Sequence, residues 1–352
     1  MKPTHSTIAI ALLLTGAASA QVVASDNFSY VGALTANGWT AHSGAGNKVI
    51  MSNGSYATLD QSAGSGEDVN LAFPAFGAAD TIYASFTLNV PSGNPVNPDG
   101  EGTYFVHFKD TGSLFRARTG VLSPAAGGDF QLAINADNAN LGAGAQWPVD
   151  LVFDTNYTVV IDWNAATGES HLWLNPYAET SPSIAHTGAA TGTIIEQFAL
   201  RQSNDHTGFI HIDDVVVGHT FADVLCASPN SISVLDTPDC ATATFEVTGS
   251  PVAGSTVTAT LNGATIPLVI ASGATINLSL LPVFACDCVL VPAPDVIAVG
   301  TSLPIAIPPA LPAGVRLFLQ GADLTATNTA ASPCSVTGLF LGLTDAVCIV
   351  TG

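Results

Sequence analysis

Basic and imidazole side chains are scarce in this chain, yet several of them cluster. The 352 residues hold 7 Lys and Arg against 27 Asp and Glu, a formal net charge of −20. His107, Lys109, Arg116 and Arg118 nevertheless fall within 12 residues of one another. They lie in the stretch TYFVHFKDTGSLFRART, from Thr103 to Thr119. Its alternation predicts a hairpin of strands Thr103–Lys109 and Leu114–Thr119 around a turn at Asp110–Ser113. Successive strand residues face opposite ways. His107 and Lys109 therefore share one face of the first strand, and Arg116 and Arg118 one face of the second. A register that joins the two faces makes a donor-rich strip suited to a carboxylate or sulfate group on a sugar. Arg201 is a further candidate member. The competing reading is an ordinary solvated sheet face.

Catalytic signatures are missing. Retaining glycoside hydrolysis needs two carboxylates about 5 Å apart. No E-x-D-x-E or E-x-D-x-x-E occurs, and Glu67-Asp68, Glu101, Glu169 and Glu196 stand alone or adjacent. Adjacent strand residues diverge, so these read as solvated acids. Tyr104, His107 and Arg116 supply a lyase-like set, but such a set is too common to diagnose one. No G-x-S-x-G, H-E-x-x-H or phosphate-binding loop is present. His211 and Asp213 share a strand face near His206, a weak pattern for a transition metal. Aromatic platforms for a sugar would come from Trp39, Trp147 or Tyr177, although single tryptophans usually pack in cores.

The elements that must carry these residues read as strands throughout. In the first part they are Ala24–Tyr30, Ala57–Leu59, Thr81–Val90, Thr103–Lys109, Leu114–Thr119, Phe130–Ile134, Thr158–Trp163, Ser170–Asn175, Ile194–Leu200 and Phe209–Val217. Turns rich in Gly, Asn, Pro and Asp separate them. Tyr157–Pro176 is the plainest hairpin, with Thr167-Gly168 closing its loop and Pro176 stopping its second strand. No window keeps a 3.6-residue period. The fold class is all-β: a large antiparallel jelly-roll sandwich followed by a smaller β-sandwich domain. The first strand, near Asp26, and the last, ending near His219, are expected to pair.

Residues 1–20 read as a signal peptide, with an apolar run from Ile8 to Leu14 and Ala18-Ser19-Ala20 before Gln21. The expected domains are 21–225 and 226–352. All six cysteines lie in the second domain, and an even count in an exported chain suggests disulfides. Six cysteines allow 15 connectivities. The spacing favours local loops Cys226…Cys240 and Cys334…Cys348. The acidic balance disfavours nucleic acid and anionic membrane surfaces as partners. No segment reaches the length of apolar chain that spans a bilayer.

Four elements occur in order: D-x-F-x-Y-x-x-G-x-L (Asp26 to Leu34), LWLNP (Leu172 to Pro176), LRQ (Leu200 to Gln202) and IDDVVVGHTFADV (Ile212 to Val224). In these the first domain resembles the LamG-like, concanavalin A-like jelly-roll domains of secreted bacterial proteins, especially those of planctomycetes. GSPVAGSTVTATL, CDCVLVPAPDV, RLFLQGADL and GLTDAVCIVTG resemble a C-terminal β-sandwich module on exported proteins of the same group. The resemblance implies a structural Ca2+ where the first and last strands meet, with Asp26 on one side and Asp213 and Asp214 on the other. For the C-terminal module it implies display or attachment. Three functions are therefore expected in order. The first is a secreted, non-catalytic protein binding an extracellular glycan or cell-surface component. The second is a polysaccharide-active hydrolase or lyase of the jelly-roll type, and the third a structural surface protein.

Overall fold

The computed structural model describes residues 22–62, 66–202, 206–225, 231–235, 237, 241, 243–273, 275–279, 289–292, 295–311, 315–325 and 340–351. The chain divides into two compact units, one of residues 21–176 and 181–225, the other of 226–352 with 177–180.

Among its described residues the first unit holds sixteen strands, one short α-helix and two single 3-10 turns. In chain order they are β1 (Val22–Asp26), β2 (Val31–Ala33), β3 (Thr40–Ser43), β4 (Met51–Asn53), β5 (Ala57–Asp60), β6 (Asp68–Phe76), β7 (Thr81–Asn89) and β8 (Thr103–Lys109). There follow β9 (Phe115–Leu122), β10 (Gln131–Asn135), β11 (Ala145–Gln146), β12 (Tyr157–Asn164), β13 (Glu169–Leu174), β14 (Ser183–Thr187), β15 (Ile195–Leu200), β16 (Phe209–Gly218) and α1 (Phe221–Leu225). One sheet runs β14-β13-β12-β7-β16-β5-β4-β2, with β1 added along β16. The other runs β11-β10-β9-β8-β15-β6-β3. Every pairing in both is antiparallel. This is the jelly-roll sandwich that the strand pattern predicts.

Alternation explains the core. Tyr157, Val159, Ile161 and Trp163 of β12 point inward and meet Phe86 of β7, Phe105 and Phe108 of β8 and Phe198 of β15. Burying each such side chain contributes about 1.5–3 kcal/mol. The hairpin of β12 and β13 forms as expected, with Val159 opposite Leu174 and Ile161 opposite Leu172. Gly168, at φ 75, turns it where a Cβ would come within 2.4 Å of the Ala190 carbonyl. The first and last strands do pair, placing Asp26 opposite Val215.

Two bulges set which side chains leave the core in the seven-stranded sheet. On β8, Phe105 and Val106 both face the core, and pairing with β9 slips between Tyr104 and Val106. On β9, pairing slips again opposite Val106 and Phe108, and Ala117 takes φ 50. Ala117 and Val121 join the core, while Phe115 and Leu122 lie on the other face. An extra residue in one strand re-aims every neighbour on one side of it.

The second unit is also all-β. Its strands are β17 (Ser231–Leu235), β18 (Thr244–Gly249), β19 (Thr256–Asn262), β20 (Pro267–Ser272), β21 (Thr275–Ser279), β22 (Val289–Pro292), β23 (Val296–Val299), β24 (Ser302–Ala306), β25 (Arg316–Thr325) and β26 (Phe340–Val350). They form sheets β17-β26-β25-β20-β23 and β18-β19-β24 and the hairpin β21-β22. Val257, Ala259, Leu303 and Ile305 of the smaller sheet pack with Val269, Leu319, Val347 and Ile349 of the larger. Cys348 is buried and disulfide-bonded. The other five cysteines, and so the pairing expected for Cys226, Cys240 and Cys334, lie outside the described residues.

Candidate functional site

The outer face of the seven-stranded sheet carries a cleft of about 570 Å³. Its walls come from five consecutive elements. β3 gives Thr40 and His42, β6 gives Asp68 and Asn70, β15 gives Gln197, β8 gives His107 and Lys109, and the turn into β9 gives Thr111 to Phe115. Arg201, just after β15, closes the set. Register aligns the floor. Asn70 and His107 both lie opposite Ala199 on the strand between them, and the next row places Lys109 opposite Gln197. Ala199 is small, so the row dips between two polar side chains.

Three of the five expected ligand-binding residues, His107, Lys109 and Arg201, line this cleft. Lys109 is only 2% exposed, and its Nζ donates to the Asp110 carbonyl at 2.7 Å and to Gln197 Oε1 at 2.5 Å. Burial lowers its pKa, opposed by the nearby charges of Asp110 and Glu196. Arg118 borders the same face. Its guanidinium lies 5.3 Å from the Tyr104 ring and 5.4 Å from the Phe115 ring, and it donates to the Asp137 carbonyl. Arg201 covers Tyr104 at 4.3 Å. Two guanidiniums thus stack on one tyrosine, an arrangement that orders them without neutralising either.

Arg116 is not on this face, which corrects the expectation that it pairs with Arg118. Its Nε donates to Thr193 Oγ1 at 2.9 Å, and its guanidinium sits 5.6 Å from the ring of the fully buried Trp163. The cause is the bulge at Ala117. One extra residue converts a spacing of two into opposite faces. For the same reason Tyr104, His107 and Arg116 do not come together as a lyase-like set.

The charges of the cleft lack carboxylate partners. Among the described residues no carboxylate lies within 4.0 Å of Lys109, Arg116, Arg118 or Arg201, whereas Lys48 pairs with Asp60 at 3.7 Å. In so acidic a chain, cations without acidic partners among the described residues stand out. Of the lining residues only Asp68 carries a carboxylate, and it already accepts from Ser43 Oγ and the Gln202 amide.

Sequence reasoning missed His42, Asp68 and Asn70. His107 is fully buried with neither ring nitrogen hydrogen-bonded, and His42 Nδ1 is likewise without a partner among the described residues. The two rings meet edge-on at 6.1 Å. Burial holds His107 well below the usual imidazole range, helped by the charges of His42, Arg118, Arg201 and Lys109. Burial also lowers His42, with Asp68 pulling the other way.

The carboxylates where the first and last strands meet behave differently. Asp26 accepts from the Phe28 amide, the Tyr30 hydroxyl and Trp39 Nε1, at 2.8, 2.8 and 2.7 Å. Those bonds hold the chain through the left-handed turn at Phe28, φ 48. Asp213 and Asp214 occupy a bulge of β16, with Asp214 at φ 49, so both stay off the core that Ile212 and Val215 enter. Asp213 is raised to about 6, by burial first and then by the charges of Asp214 and Asp26. Among the described residues no three His, Cys, Asp or Glu side chains are grouped to hold a metal ion. Asp26, Asp213 and Asp214, expected to hold a structural Ca2+, lie at this junction with Asp26 opposite Val215 and the pair beside it on β16. His211 stacks on Tyr56 with ring centroids 4.1 Å apart. Trp39 is core, Trp147 packs against it, and neither they nor Tyr177 line the cleft.

No family model matches the chain, and no curated protein matches it. Solved structures give distant similarities. A sialidase matches at 15% identity and a TM-score of 0.39, over 58% of this chain and 19% of its own. The chain thus spans about a fifth of that protein. Lectin I-B4 of Griffonia simplicifolia, in a metal-free form, matches at 11% identity and a TM-score of 0.33, over 55% of this chain and 98% of its own. The carbohydrate recognition domain of Emp46p, potassium-bound, matches at 10% identity and a TM-score of 0.33, over 55% of this chain and 95% of its own.

Proposed function

We propose that the first unit binds an anionic glycan, a sugar chain bearing carboxylate or sulfate groups, in the cleft between β3 and β9, and does not turn it over. The observation that carries this reading is the convergence of Lys109 and Arg201 on one cleft, with Arg118 at the margin, none of them within ion-pair distance of a carboxylate among the described residues. Phosphate-rich and nucleic-acid partners are disfavoured by the net charge of −20, which repels a long polyanion. A short oligosaccharide with a few charges escapes most of that repulsion. A single lining carboxylate supports binding over glycoside hydrolysis, which uses two.

The protein as a whole is read as secreted or attached to the cell surface, with the C-terminal unit serving display or attachment. The disulfide at Cys348 supports an oxidising compartment. Calorimetric titration with a tetragalacturonate, a sulfated galactan tetrasaccharide and their neutral counterparts tests the binding reading. Binding of the charged sugars alone, weakening with added salt, is expected. Equal binding of neutral sugars overturns the reading, and release of unsaturated or shortened products replaces it with an enzyme.

A further inference from the structure

The cleft holds two imidazoles with ring nitrogens that lack hydrogen-bond partners among the described residues. His107 lies on its floor, fully buried, and both ring nitrogens lack partners among the described residues. His42 faces it edge-on from β3, and Phe115 touches both rings, at 4.4 and 6.1 Å. A buried polar atom without a partner costs about 1–3 kcal/mol. Three such atoms in one pocket are expensive for a scaffold and useful to a ligand that supplies the missing bonds. Replacement of His107 by an apolar residue would fill the same space at less cost, so its presence points to something that reaches the floor.

A metal ion is a poor candidate for that role. Lys109 on β8, Arg118 on β9 and Arg201 after β15 all raise the potential around His107, and Lys109 does so around His42, against Asp68 on β6, whose carboxylate stands 4.0 Å from His42 Nε2. Asp110 and Glu196 act on Lys109 at the rim. An anion suits the three cations, which outnumber Asp68 beside the rings.

We propose that His42 and His107 form the ligand-reading floor of the cleft, and that an anionic group binds there together with one proton, taken up by His42. This rests on the anionic-glycan reading of the same cleft. Before binding, burial and the charge of Lys109 oppose a charge on His42, against Asp68 and Asn70, which favour it. An anion placed in the same poorly solvated pocket reverses that balance, because its attraction to an imidazolium is strong where water is scarce. His42 takes the proton because Asp68 already favours the charged ring. His107, deeper and closer to the guanidiniums, stays neutral and offers one N–H donor and one acceptor, which suits a sulfate oxygen beside a sugar hydroxyl. By linkage the ligand raises the affinity of His42 for its proton, and a proton raises the affinity of the cleft for the ligand. Binding then tightens on acidification, by up to about tenfold per pH unit for one linked proton.

The test is titration of the full chain with the sulfated galactan tetrasaccharide, whose sulfates stay ionised, at pH 5.5, 6.5 and 8.0. Two buffers of different ionisation enthalpy report the protons taken up. The wild-type chain is expected to bind at least tenfold tighter at pH 5.5 than at 8.0, with net proton uptake at pH 6.5. Acidification also lowers the overall negative charge, so the variants carry the decision. His42→Gln should lose the uptake and most of the slope while still binding at pH 8.0. His107→Gln should weaken binding at every pH and keep the slope. Binding without proton uptake, or an unchanged slope in His42→Gln, overturns this inference and leaves the glycan reading standing. No binding at any pH overturns both.

Discussion

Two clusters of charge invite a ligand in this molecule, and their hydrogen bonds separate them. At the junction of β1 and β16, Asp26 spends both oxygens on the Phe28 amide, Tyr30 and Trp39. In the cleft of the opposite sheet, Lys109 and Arg201 meet neutral groups only, and His107 meets none. The first arrangement is a fastening: charge-assisted bonds tie a left-handed turn to a core tryptophan. The second leaves charge without acidic partners and imidazole nitrogens without hydrogen bonds among the described residues, the feature on which the proposed binding rests. Residue type does not distinguish the two. Partner accounting does.

The comparison breaks first if the cleft can lose its cations without consequence. Lys109→Met combined with Arg201→Gln should weaken binding of the sulfated tetrasaccharide by at least about 100-fold, near 2.7 kcal/mol. Lys109→Met alone should leave the melting temperature unchanged or raised, because it removes a buried charge. Asp26→Ala should do the reverse. It strands three donors and should cost about 3 kcal/mol of unfolding free energy in a denaturant titration, with affinity unaltered.

Finer tests follow within each region. His107→Leu should stabilise the chain by about 1 kcal/mol while weakening the sugar complex, a trade expected only of a polar group kept for binding. Arg116→Gln should leave affinity within about twofold, since the bulge turns it to the core, and cost about 1 kcal/mol of stability. Asp213→Asn should have the smallest effect. Its folded pKa, about 6, lies above that of a free carboxyl, so the native state holds its proton more tightly than the unfolded one. Stability from this group is full below about pH 4 and lost as pH rises through about 6. The variant should flatten that slope and raise stability at pH 7.5, by under about 1 kcal/mol given its partial exposure.

Much of the scaffold is legible in the sequence because alternation is a direct imprint of a half-buried sheet. Thr103–Lys109 is a strand over its expected span, and Tyr157 to Pro176 is a hairpin with its apolar residues inward. The cationic cluster is legible too, as a departure from an acidic background. The bulges are not. Ala117 is an ordinary residue in a left-handed conformation, and nothing in FRART announces which arginine will turn inward. Nor do β3 and β6 stand out. The TAHS stretch at Thr40–Ser43 is polar and short, and Pro74 interrupts β6 where its pairing with β15 slips between Ala72 and Phe76. Those two strands bring His42, Asp68 and Asn70 to the cleft, so the missed residues are the ones carried by the missed strands.

The most direct measurement is a crystal structure of the chain grown with the sulfated galactan tetrasaccharide. The account predicts a sulfate within about 3.2 Å of the Arg201 guanidinium and of an imidazole nitrogen of His42 or His107. A sugar seated elsewhere, with the cleft between β3 and β9 holding only water, would contradict it.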